Sequence, residues 1–282
     1  MVNSLSQVTL CAVDCVTPKL AIKALSKSAA KLDFGEVLLV TDTPVEFSGR
    51  VVPIDRLVSR DAYSDFLIRH LIEHVRTPFV LIVQWDGFVT DPRQWRDEFL
   101  LVDYIGAPWH WYTDGFDVGN GGFSLRSRGL LEACAEYAAR GYAIDTNEDT
   151  LMCRRWRKAL ESEFNIRFAN SELAHQFSYE RSLPALPTFG FHGLFNIWRH
   201  IDDSELEELV MTLPLSTVRG IEYLELILIF LSQKKFNLVE PMFRRLDSAL
   251  SNPEILAMLH RLTGDDRLSA EIVALCVRLS TQ

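Results

Sequence analysis

Apolar residues in the first half of the chain form short continuous runs, separated by segments in which they recur every three or four positions. Continuous runs are typical of strands buried on both faces of a parallel sheet, and the helical spacing indicates helices that cover those faces. The predicted strands are Val8–Asp14, Glu36–Thr41, Arg50–Ile54 and Phe79–Val83, and the predicted helices between them are Pro18–Leu32 and Ser59–Val75. This order predicts an α/β fold with a mostly parallel sheet flanked by helices.

The pattern becomes less regular after Asp91 and changes again near residue 200. The elements predicted in the middle of the chain are strands at Tyr104–Trp109 and Phe123–Leu125 and helices at Ser127–Arg140 and Thr150–Glu161. Five further helices are predicted at Asp202–Leu213, Thr217–Gln233, Leu238–Leu250, Pro253–Leu262 and Arg267–Leu279. Helices of this length with short connections are typical of a small bundle. We therefore expect an α/β domain over residues 1–200 and an all-helical domain over residues 201–282.

Composition limits the kinds of partner. The 282 residues carry a formal net charge of −9, and no cluster of Lys and Arg forms a broad basic face, so nucleic acid is not expected as a partner. The five cysteines are an odd number without a paired framework, which favours reduced thiols. The first residues lack a basic stretch followed by an apolar run, so no leader is expected. These features predict a cytoplasmic protein, at most peripheral at the inner membrane face.

The run Val80–Val83 leads to Gln84 and Trp85 and then to one carboxylate, Asp86. A buried strand that delivers an Asp at its C-terminal end is typical of metal or phosphate sites in α/β enzymes. A carboxylate there can hold a divalent cation on a diphosphate. Asp86 followed by Gly87 is also an ordinary turn, so a structural role remains the alternative.

The segment Gly119–Phe123 is rich in glycine. Glycines permit a ligand to approach the backbone closely, and Asn120, Gly121 and Gly122 are therefore candidate substrate residues. A glycine-rich hairpin is the alternative. Trp109 and Trp111 lie in an aromatic loop just before this segment, and we expect both to be partly exposed and to contact a sugar.

Two later segments carry further candidates. Glu148 and Asp149 precede a predicted helix, where acids also favour the helix dipole; either of them is a candidate general base on an acceptor hydroxyl. His192 lies between glycines and aromatic residues, and its imidazole is a candidate second metal ligand. A histidine in such a loop can also be purely structural.

Five segments in this order resemble a glycosyltransferase-like family with the GT-A nucleotide-diphospho-sugar transferase fold, over roughly residues 8–200. They are Gln84–Asp86, Asp103–Trp109, Gly119–Arg126, Asn147–Asp149 and Phe189–Gly193. The resemblance implies that Asp86 is the last acid of the Asp-x-Asp metal motif, with Gln84 in place of the first acid. It also implies that Asp149 is the base of an inverting reaction and that His192 is the C-terminal metal ligand.

The resemblance further implies where the donor lies. Residues implied to contact or assist the nucleotide are Val13, Asp14, Asp42, Arg60, Asp61, Gln84 and Trp85. The leading hypothesis is transfer of a sugar from a UDP- or GDP-sugar to a hydroxyl of a glycan, lipid-linked or protein acceptor, assisted by Mn²⁺ or Mg²⁺. This activity would belong to polysaccharide biosynthesis. The resemblance does not extend to the helical tail, which would serve self-association, docking of a partner transferase or holding of an acceptor.

Two alternatives stay open. A sugar nucleotidyltransferase would use a similar sheet, but such enzymes carry a glycine-rich loop after the first strand, and Cys15–Lys19 contains no glycine. A catalytically lapsed GT-A-like scaffold in glycan assembly would explain the incomplete Asp-x-Asp motif.

Overall fold

The computed structural model describes residues 4–30 and 32–280. The chain divides into two compact units, the first ending at His192 and the second beginning at Gly193. The sequence had indicated residue 200 for this boundary. Residues 1–3, on which the expectation of no leader partly depends, lie outside the described range, as do Lys31 and residues 281–282.

Short strands and helices alternate along the first unit. In the described residues its strands are β1 (Ser4–Val13), β2 (Asp33–Thr41), β3 (Arg50–Pro53), β4 (Phe79–Val83), β5 (Tyr104–Ile105), β6 (Ala107–Pro108), β7 (Val118–Gly119), β8 (Phe123–Ser127), β9 (Ser178–Tyr179) and β10 (Gly190–Phe191). Its α-helices are α1 (Pro18–Ala29), α2 (Arg60–Arg69), α3 (Leu71–His74), α4 (Arg128–Ala139), α5 (Glu148–Thr150), α6 (Arg157–Phe164) and α7 (Ser171–Phe177). Two 3₁₀ helices are present at Pro92–Gln94 and Asp97–Leu101.

The main sheet has six strands in the order β3-β2-β1-β4-β8-β5. The first four are parallel to one another, and β8 runs antiparallel to both β4 and β5. The predicted α/β class with a mostly parallel sheet is confirmed. Because the parallel strands end at one edge, Asp14, Asp42 and Gln84 follow β1, β2 and β4 at that edge.

Burial on both faces explains the continuous apolar runs. In β4, Ile82 packs on one face of the sheet in the same cluster as Phe66 of α2, whereas Leu81 packs on the other face with Leu25 of α1. Each such side chain removed from water contributes roughly 1.5–3 kcal/mol. Because helices cover both faces of the sheet, the side chains on both faces are apolar. The strands therefore do not show the apolar–polar alternation of a sheet with one face in water.

Several predicted elements are shorter or broken. The helix predicted over Pro18–Leu32 ends at Ala29, and the helix predicted over Ser59–Val75 is interrupted at His70. The strand predicted over Tyr104–Trp109 is divided into β5 and β6, because the chain leaves the main sheet after Ile105 to pair with β7. The helix predicted to begin at Thr150 starts instead with α5.

A π-helical turn, Leu151–Arg155, follows α5. The amide of Trp156 donates to the carbonyl of Leu151 at 2.8 Å, which is an i→i+5 bond that widens the helix by one residue. Such turns occur frequently at functional sites. The turn separates α5, which carries Glu148 and Asp149, from α6.

In the part of the second unit that the structure describes, every regular element is helical. Its helices are α8 (Leu194–Ile197), α9 (Asp203–Thr212), α10 (Leu215–Val218), α11 (Ile221–Ser232), α12 (Phe236–Ala249), α13 (Asn252–Thr263) and α14 (Asp266–Ser280). Ser251 and Glu254 form a capping box at the start of α13, and Gly264 ends it with a left-handed φ of 68°. These local signals explain why the predicted bounds of α13 agree closely with the observed ones. The helix predicted over Thr217–Gln233 is instead divided into α10 and α11 at Arg219 and Gly220.

The helices and the cysteines of the described residues have two further properties. Across residues 4–30 and 32–280, no helix combines the length and the apolar character that a bilayer-spanning segment needs. All five cysteines are buried and unpaired.

Candidate functional site

The glycine-rich segment and the end of β4 lie side by side at the C-terminal edge of the parallel strands. The antiparallel register pairs Val83 with Phe123, so Gln84 comes opposite Gly122. The Gln84 amide donates to the Gly122 carbonyl at 2.8 Å, which fastens the two segments together. Two residues later Asp86 turns into the protein, and only 6% of its surface is exposed.

His192 lies next to Asp86 at this edge. Its Nε2 is 3.4 Å from Asp86 Oδ1 and 3.1 Å from Gln84 Oε1, and its Nδ1 is 3.0 Å from Glu180 Oε1. Burial lowers the pKa of His192, but the Asp86 and Glu180 carboxylates raise it well above the usual histidine range. The structure therefore brings together two residues that are 106 positions apart in the sequence, Asp86 and His192.

With its Nε2 deprotonated, His192 could share a divalent cation with Asp86. Asp86 Oδ1 is buried and accepts no hydrogen bond; the His192 imidazole lies 3.4 Å away, and lone pairs of the oxygen are still open to a further ligand. Donor atoms 3.4 Å apart can both reach one cation at about 2.1 Å. In the described residues, no group of three or more His, Cys, Asp or Glu side chains forms a metal cluster. A cation here would have two protein ligands and would need oxygen atoms of a bound molecule.

The glycines between β7 and β8 are required by the buried side chains behind them. A Cβ on Gly122 would lie 2.0 Å from His192 Nε2, and one on Gly121 would lie 2.2 Å from Glu148 Oε1. Asn120 has a left-handed φ of 68°, and its Oδ1 accepts from the amides of Gly122 and Phe123 at 3.0 and 3.2 Å. The loop is thus held rigidly between His192 and Glu148.

Glu148 is buried and forms an ion pair with a fully buried arginine. Arg126 Nη2 donates to Glu148 Oε1 at 3.1 Å and to the Gly121 carbonyl at 3.3 Å. The Ser64 hydroxyl lies 3.4 Å from Glu148 Oε2 and 3.2 Å from the Glu148 amide. Breaking a buried pair of this kind typically costs about 3–5 kcal/mol because it leaves an uncompensated charge. The arrangement fixes the start of α5 against α2.

Asp149 lies on the opposite side of the same loop from His192. Its Oδ2 accepts from the Gly121 amide at 3.0 Å, and its Oδ1 accepts from the amide and hydroxyl of Thr150 at 2.6 and 3.3 Å. Burial and the nearby Glu148 charge raise the pKa of Asp149 to about 6. A carboxylate has about four lone-pair sites, so three donors leave one for a further hydroxyl.

The residues expected at the nucleotide end lie along the same edge of the sheet. The Asp14 carboxylate accepts from the amides of Val16 and Thr17, and the Asp42 carboxylate lies 3.3 Å from Arg56. Val13 is buried at the end of β1. Neighbouring strands lie about 4.8 Å apart, so these residues form a row that continues from Asp86.

Helix α2 contacts the site through residues that were not predicted. Arg60 and Asp61 are exposed at its first turn, whereas Tyr63 and Ser64 face the interior. The Tyr63 hydroxyl accepts from Gln84 Nε2 at 3.1 Å, and Ser64 contacts Glu148. No local signal distinguishes these residues, because the side of the helix that meets the site is decided by packing.

Glu180 and Arg126 also lie at the site, and the sequence analysis does not predict either of them as a site residue. Glu180 follows β9 as His192 follows β10, and the parallel register of the two strands places them opposite each other. Arg126 is a charged residue within the buried strand β8, which is itself a signal because a buried arginine needs a partner.

The two tryptophans of the aromatic loop differ in burial. Trp111 is 55% exposed, as expected. Trp109 was expected to be partly exposed, and this was wrong: it is 6% exposed because its ring packs on Gly119, where a Cβ would lie 2.2 Å away. Trp85 is half-buried beside Asp86.

A family profile matches the region that contains this site. The profile is that of DUF5672, described as a protein of unknown function, and it covers residues 46–192, just over half of the chain. The chain belongs to the DUF5672 family. The DUF5672 region contains Asp86, Asp149 and His192, whereas Asp14 and Asp42 precede it.

Similarity to other known proteins is weaker than the match to the family profile. No curated protein sequence matches the chain. The mannosyltransferase PcManGT from Pyrobaculum calidifontis, solved in complex with GDP-Man and Mn²⁺, aligns with 98% of this chain and 81% of its own, at 13% identity and a TM-score of 0.41. The galactosyltransferase LgtC, solved with donor and acceptor sugar analogs, aligns with 66% of this chain and 86% of its own, at 12% identity and a TM-score of 0.35. Both TM-scores are low, so a function for this chain must be argued from its own residues.

Proposed function

We propose that this DUF5672 protein is a glycosyltransferase that moves a sugar from a nucleotide-diphospho-sugar to an acceptor hydroxyl. The observation that carries the proposal is the loop Asn120–Gly122. On one side it contacts His192, whose Nε2 lies 3.4 Å from the buried carboxylate of Asp86; on the other it donates to Asp149. A candidate cation site and a candidate base would therefore share one rigid backbone segment.

Asp86 and His192 would hold Mn²⁺ or Mg²⁺, which would neutralise charge on the departing diphosphate. Gln84 occupies the position of the first acid of an Asp-x-Asp motif. Its side chain lies between Tyr63 and His192, and its Oε1 would accept from His192 Nε2 only until a cation displaced the proton of that nitrogen. Glu180, bonded to the other ring nitrogen, would fix the orientation of His192, as carboxylates do beside ligating histidines.

Asp149 would accept the proton of the acceptor hydroxyl. With a pKa of about 6 it is mostly ionised at neutral pH and still basic enough to assist the attack. A base that activates the incoming hydroxyl supports direct displacement with inversion. Glu148, which the sequence also offered as a base, would instead be a positioning residue because Arg126 and Ser64 already occupy its carboxylate.

The donor would lie along the edge formed by the parallel strands. Val13, Asp14 and Asp42 would meet the base and ribose of a UDP- or GDP-sugar, with Arg60 and Asp61 assisting from α2 and Trp85 beside the phosphates. The backbone of Asn120, Gly121 and Gly122 would contact the transferred sugar, and the buried Trp109 would support that backbone from behind.

The cellular role that we propose is inferred from the proposed reaction alone. Transfer to a glycan, a lipid-linked glycan or a protein would take place inside the cell, or at the inner face of its membrane, during polysaccharide biosynthesis. The helices of the second unit would serve self-association or docking of a partner transferase.

The test is a set of matched Asp→Asn variants. Wild-type protein and the variants Asp86→Asn, Asp149→Asn and Asp33→Asn are titrated calorimetrically with UDP and GDP in the presence and absence of Mn²⁺. Each protein is then assayed for turnover of the corresponding sugar nucleotides. Asp33 is an exposed acid at the opposite end of β2 and serves as the control.

We expect Asp86→Asn to lose metal-dependent nucleotide binding. Asp149→Asn should keep it and lose transfer, and Asp33→Asn should match the wild type. Failure of the wild-type protein to bind any nucleoside diphosphate would contradict the proposal and favour the scaffold alternative. Release of pyrophosphate from sugar phosphate and nucleoside triphosphate would instead favour a nucleotidyltransferase.

A further inference from the structure

The aromatic loop ends in one exposed indole. Among the six tryptophans, all of which lie within the described residues, Trp111 alone is exposed. Its ring stacks on that of Trp109 at a centroid distance of 6.0 Å and an interplanar angle of 29°. Tyr112 contacts both rings, at 5.8 and 6.0 Å. Trp111 is therefore the outermost member of a packed aromatic group and not an isolated side chain.

Arg154 holds this loop in place. Its guanidinium donates to both carboxylate oxygens of Asp114 at 2.7 and 2.8 Å and to the Phe116 carbonyl, and it lies 3.7 Å over the ring of Tyr112. At the base of the loop, the Trp109 amide donates to the Asp117 carbonyl at 2.7 Å. The exposed indole is therefore preorganised, which lowers the entropy that a ligand must overcome on binding.

The loop is connected to Asp149 by two routes. Arg154 belongs to the π-helical turn that begins two residues after Asp149. Trp109 packs on Gly119, and two residues later the Gly121 amide donates to the Asp149 carboxylate. The aromatic loop and Asp149 are therefore joined through the π-helical turn and through the segment Gly119–Gly121.

The chemistry around Trp111 fits a sugar ring. In the loop between Trp109 and Val118, Trp111 is the one large apolar residue that is exposed, so the apolar surface is about the size of one ring. His110, the residue before Trp111, is exposed and hydrogen-bonds Ser182, and its ring lies 5.2 Å from that of the exposed His175. An aromatic face flanked by hydrogen-bonding groups matches a pyranose, which has an apolar C–H face and polar edges. A lipid chain would need a longer apolar groove.

We propose that Trp111 is the stacking platform of an acceptor subsite and that the acceptor is a carbohydrate. This inference rests on the proposed glycosyl transfer and names the acceptor class that the function above leaves open. The acceptor sugar would stack on Trp111, with His110 and His175 at its edges, and would present one hydroxyl to Asp149.

The experiment separates acceptor binding from donor use. Trp111→Ala, Trp111→Phe and Leu101→Ala are compared with wild type for hydrolysis of the donor by water and for transfer to a panel of mono- and oligosaccharides. Leu101 is 62% exposed and lies outside the aromatic loop, so it controls for loss of an exposed apolar side chain. Quenching of tryptophan fluorescence by the same sugars is measured without donor.

We expect Trp111→Ala to raise the acceptor KM about tenfold or more while the donor KM and donor hydrolysis stay unchanged. Trp111→Phe should retain part of the affinity, and Leu101→Ala should behave as wild type. Sugar-dependent quenching should disappear in Trp111→Phe.

Three results would overturn the inference: an unchanged acceptor KM in Trp111→Ala, quenching that persists without Trp111, or transfer confined to acceptors that contain no sugar. If no donor is hydrolysed by the wild type, the proposed function fails. The quenching experiment still decides whether Trp111 binds sugars.

Discussion

Replacing Gly122 with alanine would place a methyl group against the ring of His192. The added Cβ would lie 2.0 Å from Nε2, 2.3 Å from Cδ2 and 2.5 Å from Cε1. Gly122 is not among the glycines with positive φ, so alanine causes no backbone strain and the ring contact is the main perturbation.

The size of the effect follows from how firmly the ring is held. The optimal van der Waals separation of non-bonded heavy atoms is roughly 3.5–4 Å, so the ring and the methyl group must move apart by about 1.5 Å. Glu180 holds Nδ1 and Gln84 and Asp86 adjoin Nε2, so the ring cannot move without losing these partners. We expect a destabilisation of about 1–3 kcal/mol. A displacement of about 1 Å at a reacting group costs about 10²-fold in rate.

The assay compares Gly122→Ala with Gly129→Ala. A Cβ on Gly129 would meet no atom closer than 3.6 Å, and this position in α4 accepts alanine readily. Thermal unfolding, Mn²⁺ affinity and transfer rate are measured for both. We expect Gly122→Ala to lose most metal affinity and activity and Gly129→Ala to retain both. If Gly122→Ala has the metal affinity and the transfer rate of the wild type, the reasoning is refuted. The His192 ring then does not lie against Gly122 or does not bind the metal.

Three other outcomes are expected. The rate at low substrate concentration should rise with pH through about 6, because Asp149 is protonated below its raised pKa and cannot accept a proton there; a flat acidic limb in the pH profile would argue against it as base. Glu180→Gln should weaken Mn²⁺ binding about 10- to 100-fold in a titration, with little change in unfolding, since it loosens His192; unchanged affinity would remove Glu180 from the site. Arg126→Met should lower the free energy of unfolding by about 3–5 kcal/mol in denaturant titrations, and the double variant with Glu148→Gln should recover part of this loss because no unpaired charge remains; additive losses would contradict the ion pair.

Most strands and helices of this protein can be predicted from local sequence patterns. Strands such as Phe79–Val83 are buried on both faces and are therefore apolar throughout, so their positions and their parallel arrangement can be predicted from the sequence. The same holds for helix ends that have chemical signals, such as the Ser251–Glu254 capping box. His70 interrupts a helix without any such signal, and that break was missed.

Local patterns in the sequence specify the α/β sheet, the helical second unit and the placement of Asp86, Asp149 and His192 in three separate segments. The meeting of Glu148 with Arg126, and of Glu180 with His192, is set by the folding of distant segments onto one another. Periodicity and turn chemistry depend on neighbours in the chain. Contacts across strands depend on register and packing between segments up to 108 residues apart, as in the pair Gln84 and His192.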